Sequence, residues 1–330
     1  MRVGFAGCHE ISWRCLKAVA ELCRANGDEL AGAFNLLPEK GVKYSGFVEF
    51  DSLASEHNFP LHKITNLADA PALDLLRSFK LDVFFIIGWH RIVPQEVIDA
   101  APVCLGMHSS LLPKNRGSSP LNWALIRGEK QGGITLFFLT AGVDSGDVVA
   151  QKSFPLEEND SCREAYEKAA VAAVDLLREN WGALREGKLP RTPQDESQAT
   201  FNERRRPEDG KIDWSKPAGE LHNWVRALAH PYPGAFTFFR GKKLFVWKAR
   251  LVQGSRIQEQ HENLDNDERG AVDKEPGTLV SLGERDGGGA IAACQKGLLE
   301  ILSLQFEGEQ EFAARAFASA YGLQQGEKMG

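Results

Sequence analysis

Residues 104–117 read Cys-Leu-Gly-Met-His-Ser-Ser-Leu-Leu-Pro-Lys-Asn-Arg-Gly. The apolar run Cys104 to Met107 delivers His108, which is followed by two hydroxyls, a Leu-Leu-Pro and a basic turn ending at Gly117. One strand further on, a second polar loop reads Asp144-Ser145-Gly146-Asp147. A histidine at a strand end with a carboxylate at the neighbouring strand end is an acid/base arrangement, because imidazole exchanges protons near neutral pH. The ordered string, rather than the histidine alone, singles out this place.

Upstream, Leu81 to Ile87 is an apolar run stopped by Gly88, the pattern of a central parallel strand covered on both faces. It carries Trp89-His90-Arg91-Ile92-Val93-Pro94 to the same carboxyl edge as His108. Residues 2–7 read as a first buried strand, and apolar Leu16, Val19, Ala20 and Cys23 recur at helical spacing behind it. Strand, Gly-bearing loop and helix open a βαβ unit. The loop Gly4-Phe5-Ala6-Gly7-Cys8-His9 lacks the G-x-G-x-x-G spacing, which argues against a nicotinamide dehydrogenase. His9 and Glu10 fall where open α/β sheets place ligands.

Strands are expected over 30–36, 133–139 and 148–154, and helices over 47–58, 71–79 and 161–186, the last stopped by Gly187 and Pro190. A polar stretch, 191–203, reads as a linker between a catalytic domain of 1–190 and a second domain of 204–330. In the second domain, short alternating strands over 236–240, 243–249, 277–282 and 298–304 suggest a small β-barrel with a final helix near 309–321. Gln258 to Glu275 reads as an acidic loop. The fold class is therefore α/β: a Rossmann-like parallel sheet followed by a small β-barrel.

Forty-three per cent of residues are hydrophobic and 25% charged, an ordinary globular composition. No apolar run of transmembrane length and no signal-peptide pattern occurs, so a cytoplasmic chain with no membrane partner is expected. The six cysteines are scattered without metal spacing and read as reduced structural thiols; no metal site is expected. The net charge is −6, and residues 201–330 carry 18 Lys and Arg against 19 Asp and Glu, a poor electrostatic footprint for nucleic acid. Arg204 to Arg206, flanked by Glu203, Glu208 and Asp209, read as a solvated charge cluster.

The 104–117 string and the Asp144 loop resemble the folate-dependent formyltransferase family, in which a strand ends Asn-x-His-x-Ser-Leu-Leu-Pro. The resemblance implies His108 and Asp144 as catalytic residues and 10-formyltetrahydrofolate as co-substrate. It implies folate contacts at Ser110, Leu111, Leu112 and Pro113, at His90, Arg91 and Ile92, and at Thr140, Ala141, Gly142 and Val143. Arg116 matches a basic residue of the family. The segments Arg205-Arg206-Pro207, Ile212-Asp213-Trp214 and Pro231-Tyr232-Pro233-Gly234-Ala235-Phe236 look most like the sugar N-formyltransferases, in particular those acting on UDP-4-amino-4-deoxy-L-arabinose. The resemblance thus implies a nucleotide-linked amino sugar as acceptor, an OB-like second domain and a homodimer.

One position departs from the family: Gly106 stands where it has a catalytic Asn, whose amide stabilises the developing oxyanion. Another donor must replace it, from His108 as imidazolium, the Ser109 or Ser110 hydroxyl, a backbone N–H or a water; otherwise catalysis is weak. Three readings stay open: an amino-sugar formyltransferase, a methionyl-tRNA formyltransferase, and a folate-binding protein whose catalysis has lapsed.

Overall fold

The computed structural model describes residues 1–252, 274–282 and 288–330; most of the acidic stretch 258–275, expected as a loop, lies outside them. The chain divides into two units. The first comprises Met1–Leu121, Lys130–Leu156 and Glu164–Arg204, the second Asn122–Glu129, Glu157–Arg163 and Arg205–Gly330.

The first unit is built on seven strands: β1 (Arg2–Ala6), β2 (Glu29–Leu36), β3 (Leu61–Ile64), β4 (Val83–Ile87), β5 (Val103–His108), β7 (Gln131–Phe138) and β8 (Val148–Pro155). They lie in the order β3-β2-β1-β4-β5-β7-β8. The first five are parallel, as expected, whereas β7 runs antiparallel to both β5 and β8. A two-residue strand between β5 and β7, β6 (Arg116–Gly117), pairs in parallel with β9 (Phe201–Asn202).

Every residue of β4 is buried, so the strand feeds two cores. Phe84 and Ile86 join Phe34, Leu73, Leu76 and Val97 in one apolar cluster. Phe85 points to the opposite face and stacks on Trp181, ring centroids 6.1 Å apart. Trp181 belongs to the long helix Cys162–Arg185, and Gly187 follows at φ 66°, the left-handed turn its sequence foretells. The helix Glu10–Asn26 is capped reciprocally by His9 and Ser12 and closed at Gly27, φ 67°.

Two elements depart from the expected pattern. Phe47 bridges to His9 and the Val48 N–H donates to the Cys8 carbonyl, which holds this stretch against the end of β1 and delays the helix to Asp51–His57. Residues 191–203 are not a free tether. Thr192 pairs with Val148, the Thr200 carbonyl accepts the Arg116 N–H, and Phe201–Asn202 forms β9, so the segment is laid along the first unit.

The second unit is an antiparallel sheet, in the order β10 (Ala235–Phe239), β11 (Lys242–Leu251), β14 (Leu298–Phe306), β13 (Ala290–Ala293), β12 (Leu279–Leu282), with β15 (Phe312–Ala313) against β14. The last residues link its two outer strands: the Leu279 N–H donates to the Glu327 carbonyl and the Gly330 N–H to Phe238. Leu221, Val225 and Leu228 of the helix Ala218–Leu228 fill the core with Val246, Ile301 and Leu304, and Phe317 of the final helix Ala314–Tyr321 completes it. No helix among the described residues is long and apolar enough to cross a membrane.

Trp181 is 3% exposed and its indole carries the contact between the long helix and β4. Trp181→Ala is expected to cost about 3–5 kcal/mol of unfolding free energy, measured by urea denaturation.

Candidate active site

Strand register sets the first relations. Ala6 lies beside Ile86, and Ile87 beside Met107, so the ends of β1, β4 and β5 bring His9, Gly88, His90 and His108 to one edge of the sheet. β7 cannot deliver Asp144 to that edge directly. Its antiparallel course puts Phe138 opposite Leu105 and Thr135 opposite His108, so it ends on the wrong side. Asp144 instead reaches His108 because the loop 139–147 turns back, with Oδ2 3.5 Å from Nδ1. The expected strand-end placement is corrected in route, while the two residues do meet.

Both side chains are held by one short stretch of main chain. The His108 Nε2 lies 2.7 Å from the Asn115 carbonyl, which can only accept, so the ring carries its proton there and turns Nδ1 towards Asp144. Two residues on, the Gly117 N–H donates to Asp144 Oδ2 at 2.9 Å. Gly117 sits at φ 93°, and a Cβ there would lie 2.7 Å from the Asn202 carbonyl, so both backbone shape and close approach require glycine. Asp144 itself adopts φ 50°, a left-handed conformation that Asp tolerates better than most side chains.

Behind this pair, the segment Ser110 to Pro113 spends its polar groups internally. The Ser110 hydroxyl donates to the Lys114 carbonyl at 2.6 Å, and its own carbonyl accepts from the Thr135 hydroxyl at 2.7 Å. The Leu112 N–H donates to Thr135 Oγ1, and its carbonyl accepts from Gln151 Nε2 at 2.8 Å. Leu111 covers Gly133, where a Cβ would lie 2.4 Å from its side chain, and the Pro113 carbonyl accepts the Thr200 N–H. The polar groups of this expected folate segment are thus largely satisfied within the protein.

The other two expected folate segments are open. Arg91 is exposed, Ile92 is 72% exposed and Val143 42%, with Thr140, Ala141 and Gly142 exposed as well. Between the helix Gln95–Ile98 and the loop 139–147 lies a cavity of about 240 Å³, lined by Ala101, Cys104, Leu139, Thr140, Gly146 and Arg191 among others. Thr140 is the one expected folate residue in its wall.

The His90 Nδ1 is buried with no hydrogen-bond partner among the described residues, while the ring packs against Tyr44, centroids 4.5 Å apart, and Trp89, 5.1 Å. Burial first, then the charges of Arg91, His9, Lys43 and Arg204, push the His90 pKa down to about 4, so the ring is neutral at neutral pH. His9, in contrast, is committed to structure: its Nδ1 is 2.7 Å from the Gly88 carbonyl and its backbone caps the first helix.

Gly106 lies on the same face of β5 as His108, two residues away. A Cβ at 106 would meet Leu139 Cδ2 at 2.6 Å and Phe137 at 3.4 Å. Leu139, held by its N–H on the Cys104 carbonyl at 2.9 Å, thus fills the space that an Asn side chain would need.

Sequence reading missed the partners that fix the pair, since Asn115 and Gly117 act through backbone atoms that no motif of side chains records. It also missed Gln194, which lies in the presumed linker and donates to the Asp144 and Gly146 carbonyls at 2.8 and 2.7 Å.

Two outcomes follow. Gly106→Asn is expected to lower the unfolding midpoint, and Leu139→Ala in the same chain to restore part of the loss, a compensation read by a double-mutant cycle in urea. His90 prefers its neutral form when folded, and its ordinary value is about 6.5. Between pH 6.5 and 4 the unfolded chain therefore binds the proton that the folded chain refuses. Its contribution to stability is complete above pH 6.5 and declines as the pH falls towards 4; His90→Gln is expected to flatten that decline in urea midpoints measured across this range.

The sequence profile of the formyl transferase family matches residues 49–180, and that of the formyl transferase C-terminal domain matches residues 205–322. A methionyl-tRNA formyltransferase of Solibacter usitatus is 36% identical over 259 residues, covering 78% of this chain and 76% of the relative. One of Geotalea daltonii is 29% identical over 279 residues, covering 84% and 82%. HypX of Aquifex aeolicus, solved with tetrahydrofolic acid, matches 99% of this chain with a TM-score of 0.65 at 19% identity, and the chain spans 48% of HypX. An N-formyltransferase of Helicobacter canadensis, solved with folinic acid and dTDP-3-aminofucose, matches 94% of this chain and 100% of its own with a TM-score of 0.64 at 17% identity. At these identities the solved structures speak for the fold. The sequence matches carry the family: the chain belongs to the formyl transferases, as a folate-dependent N-formyltransferase with 10-formyltetrahydrofolate as formyl donor.

Proposed function

We propose that this enzyme formylates the amine of a nucleotide-linked amino sugar, with His108 as the proton-transfer group and Asp144 as its partner. The donor supplies an activated formyl carbon. The protein's share is to hold the amine neutral for attack, to take up its proton and return it to the folate nitrogen as the C–N bond breaks, and to favour the charge that develops on the formyl oxygen.

His108 can accept a proton only at Nδ1, since Nε2–H is committed to the Asn115 carbonyl. A proton gained there lies between the ring and Asp144 Oδ2, where it forms a charge-assisted hydrogen bond. Asp144 stays in place because the Gly117 N–H holds the same oxygen. His90, Arg91 and Ile92, the segment Ser110 to Pro113 and the segment Thr140 to Val143 are the folate contacts in this reading.

The observation that carries the acceptor class is where positive charge gathers. Lys43, Arg91 and Arg204 act on His90 through their charges, and none forms an ion pair with a carboxylate among the described residues. Three cations beside an edge that also carries the Tyr44 and Trp89 rings suit a compact diphosphate with an attached base. In the second unit several cations are paired with carboxylates: Arg240 with Glu327, Lys243 with Glu307, Arg250 with Glu300 and Lys328 with Glu275. Arg205 is engaged by Trp224 and Trp123, at 4.4 and 5.3 Å from their rings, and the Arg206 N–H bonds to Asp209.

A second reading, formylation of charged initiator tRNA, is favoured by the names of the relatives at 36% and 29% identity. Tetrahydrofolate release separates the two. With 10-formyltetrahydrofolate, turnover is expected on a UDP-, dTDP- or GDP-linked amino sugar and is expected to disappear in His108→Ala. Efficient formylation of methionyl initiator tRNA, with none of the sugars accepted, would replace the acceptor while leaving the formyl chemistry in place.

A further inference from the structure

We propose that Gln194 and Arg116 form a clamp that positions Asp144 against His108; the inference rests on the roles given to those two residues above. Every hydrogen-bonding valence of the Gln194 amide is used. Its NH₂ donates to the Asp144 carbonyl at 2.8 Å and the Gly146 carbonyl at 2.7 Å. Its Oε1 accepts from Arg116 Nε at 3.1 Å and Nη2 at 2.7 Å. The guanidinium thus fixes which end of the amide faces the loop, because only the NH₂ end can serve two carbonyls.

Arg116 is itself immobilised. Its side chain is 2% exposed and makes a forked pair with Glu196, Nη1 at 2.8 Å and Nη2 at 2.7 Å. Its backbone N–H is bound to the Thr200 carbonyl at 2.9 Å. Asp144 is therefore held at two points: the carboxylate by the Gly117 N–H and the main chain by Gln194. The loop needs the second point. Asp144 lies at φ 50°, a conformation an unrestrained Asp leaves readily, and Gly146 presses on the Phe138 carbonyl so closely that no Cβ fits there. Without Gln194 the backbone can relax at 144–146, and the carboxylate then swings about its remaining contact.

Gln194 does not touch the 3.5 Å gap between Nδ1 and Oδ2; it acts through Asp144. That makes it a positioning residue, for which displacement of about 1 Å costs on the order of a hundredfold in rate. The distinguishing measurement is a double-mutant cycle on kcat. Gln194→Ala is expected to lower kcat by about 10- to 100-fold, with both KM values and folinic acid affinity retained. In an Asp144→Asn background the same substitution is expected to cost nothing further. Gln194→Glu, which keeps the side-chain length and the acceptor for Arg116 but turns an oxygen to the two carbonyls, is expected to match Gln194→Ala and serves if the latter fails to fold. Full additivity of the two substitutions, or a kcat loss matched by a fall in folded fraction, would overturn the clamp. Full turnover by Asp144→Asn alone would instead overturn the role of Asp144, a result that additivity cannot mimic.

Discussion

The three-residue turn Asn115–Gly117 is the constraint on which the site depends, because it grips two side chains that come from different directions. Its first carbonyl takes the His108 Nε2–H, and its last N–H takes the Asp144 carboxylate. Neither side chain could be placed so by its own element. β5 aims His108 at the sheet edge but leaves the ring free to turn about χ2, and the loop carrying Asp144 leaves β7 at the far end of β5. The turn converts two adjustable side chains into one fixed pair, and it is rigid because β9 runs alongside it in parallel.

Rigidity is not spread evenly over the site. Around Ser110 to Pro113, Thr135 and Gln151 absorb the backbone polar groups, so the segment resists displacement. Across the edge, the His90 ring has a buried nitrogen without a partner, and Ile92 and Val143 stand exposed. A folded protein leaves few buried polar atoms unpaired, because each costs about 1–3 kcal/mol. The His90 nitrogen is one of four such side-chain atoms among the described residues, with Asn35 Oδ1, His57 Nε2 and His62 Nε2.

The elements of the fold and the site also differ in how legibly the sequence wrote them. The strands β1, β4 and β5 announce themselves as apolar runs, and the stops at Gly27 and Gly187 follow from left-handed backbone that glycine takes without strain. His108 and Asp144 are legible because their chemistry belongs to side chains in a fixed order. β3, four residues with none fully buried, and β13, which reads Ala-Ile-Ala-Ala behind a run of glycines, carry no periodic signal. Residues 191–203 misled for a different reason. Gln, Asp, Glu, Ser and Thr make a tether when water satisfies them, and a fastening when distant main chain does. Composition is the same in both cases; only the partners of Gln194, Glu196 and Thr200 distinguish them.

The same bookkeeping of partners narrows what stands in for the absent Asn. A Cβ at 106 would meet the Leu139 side chain, so an amide there requires Leu139 to turn aside. Among the donors that the sequence left open, the Nε2–H of His108 is spent on Asn115 and the Ser110 hydroxyl on Lys114. The Ser110 N–H is spent on the His108 carbonyl at 2.9 Å. A proton at Nδ1 faces Asp144 and is shared with it. The Ser109 hydroxyl, half-buried and without a hydrogen-bond partner among the described residues, is one donor that stays open, beside another backbone N–H or a water. A hydroxyl is a weaker and more mobile donor than a fixed amide, so charge on the formyl oxygen would be met less rigidly than by Asn. In the reading proposed above, more of the rate then rests on the fixed geometry of His108 and Asp144, and so on the turn that holds them and the clamp proposed for them.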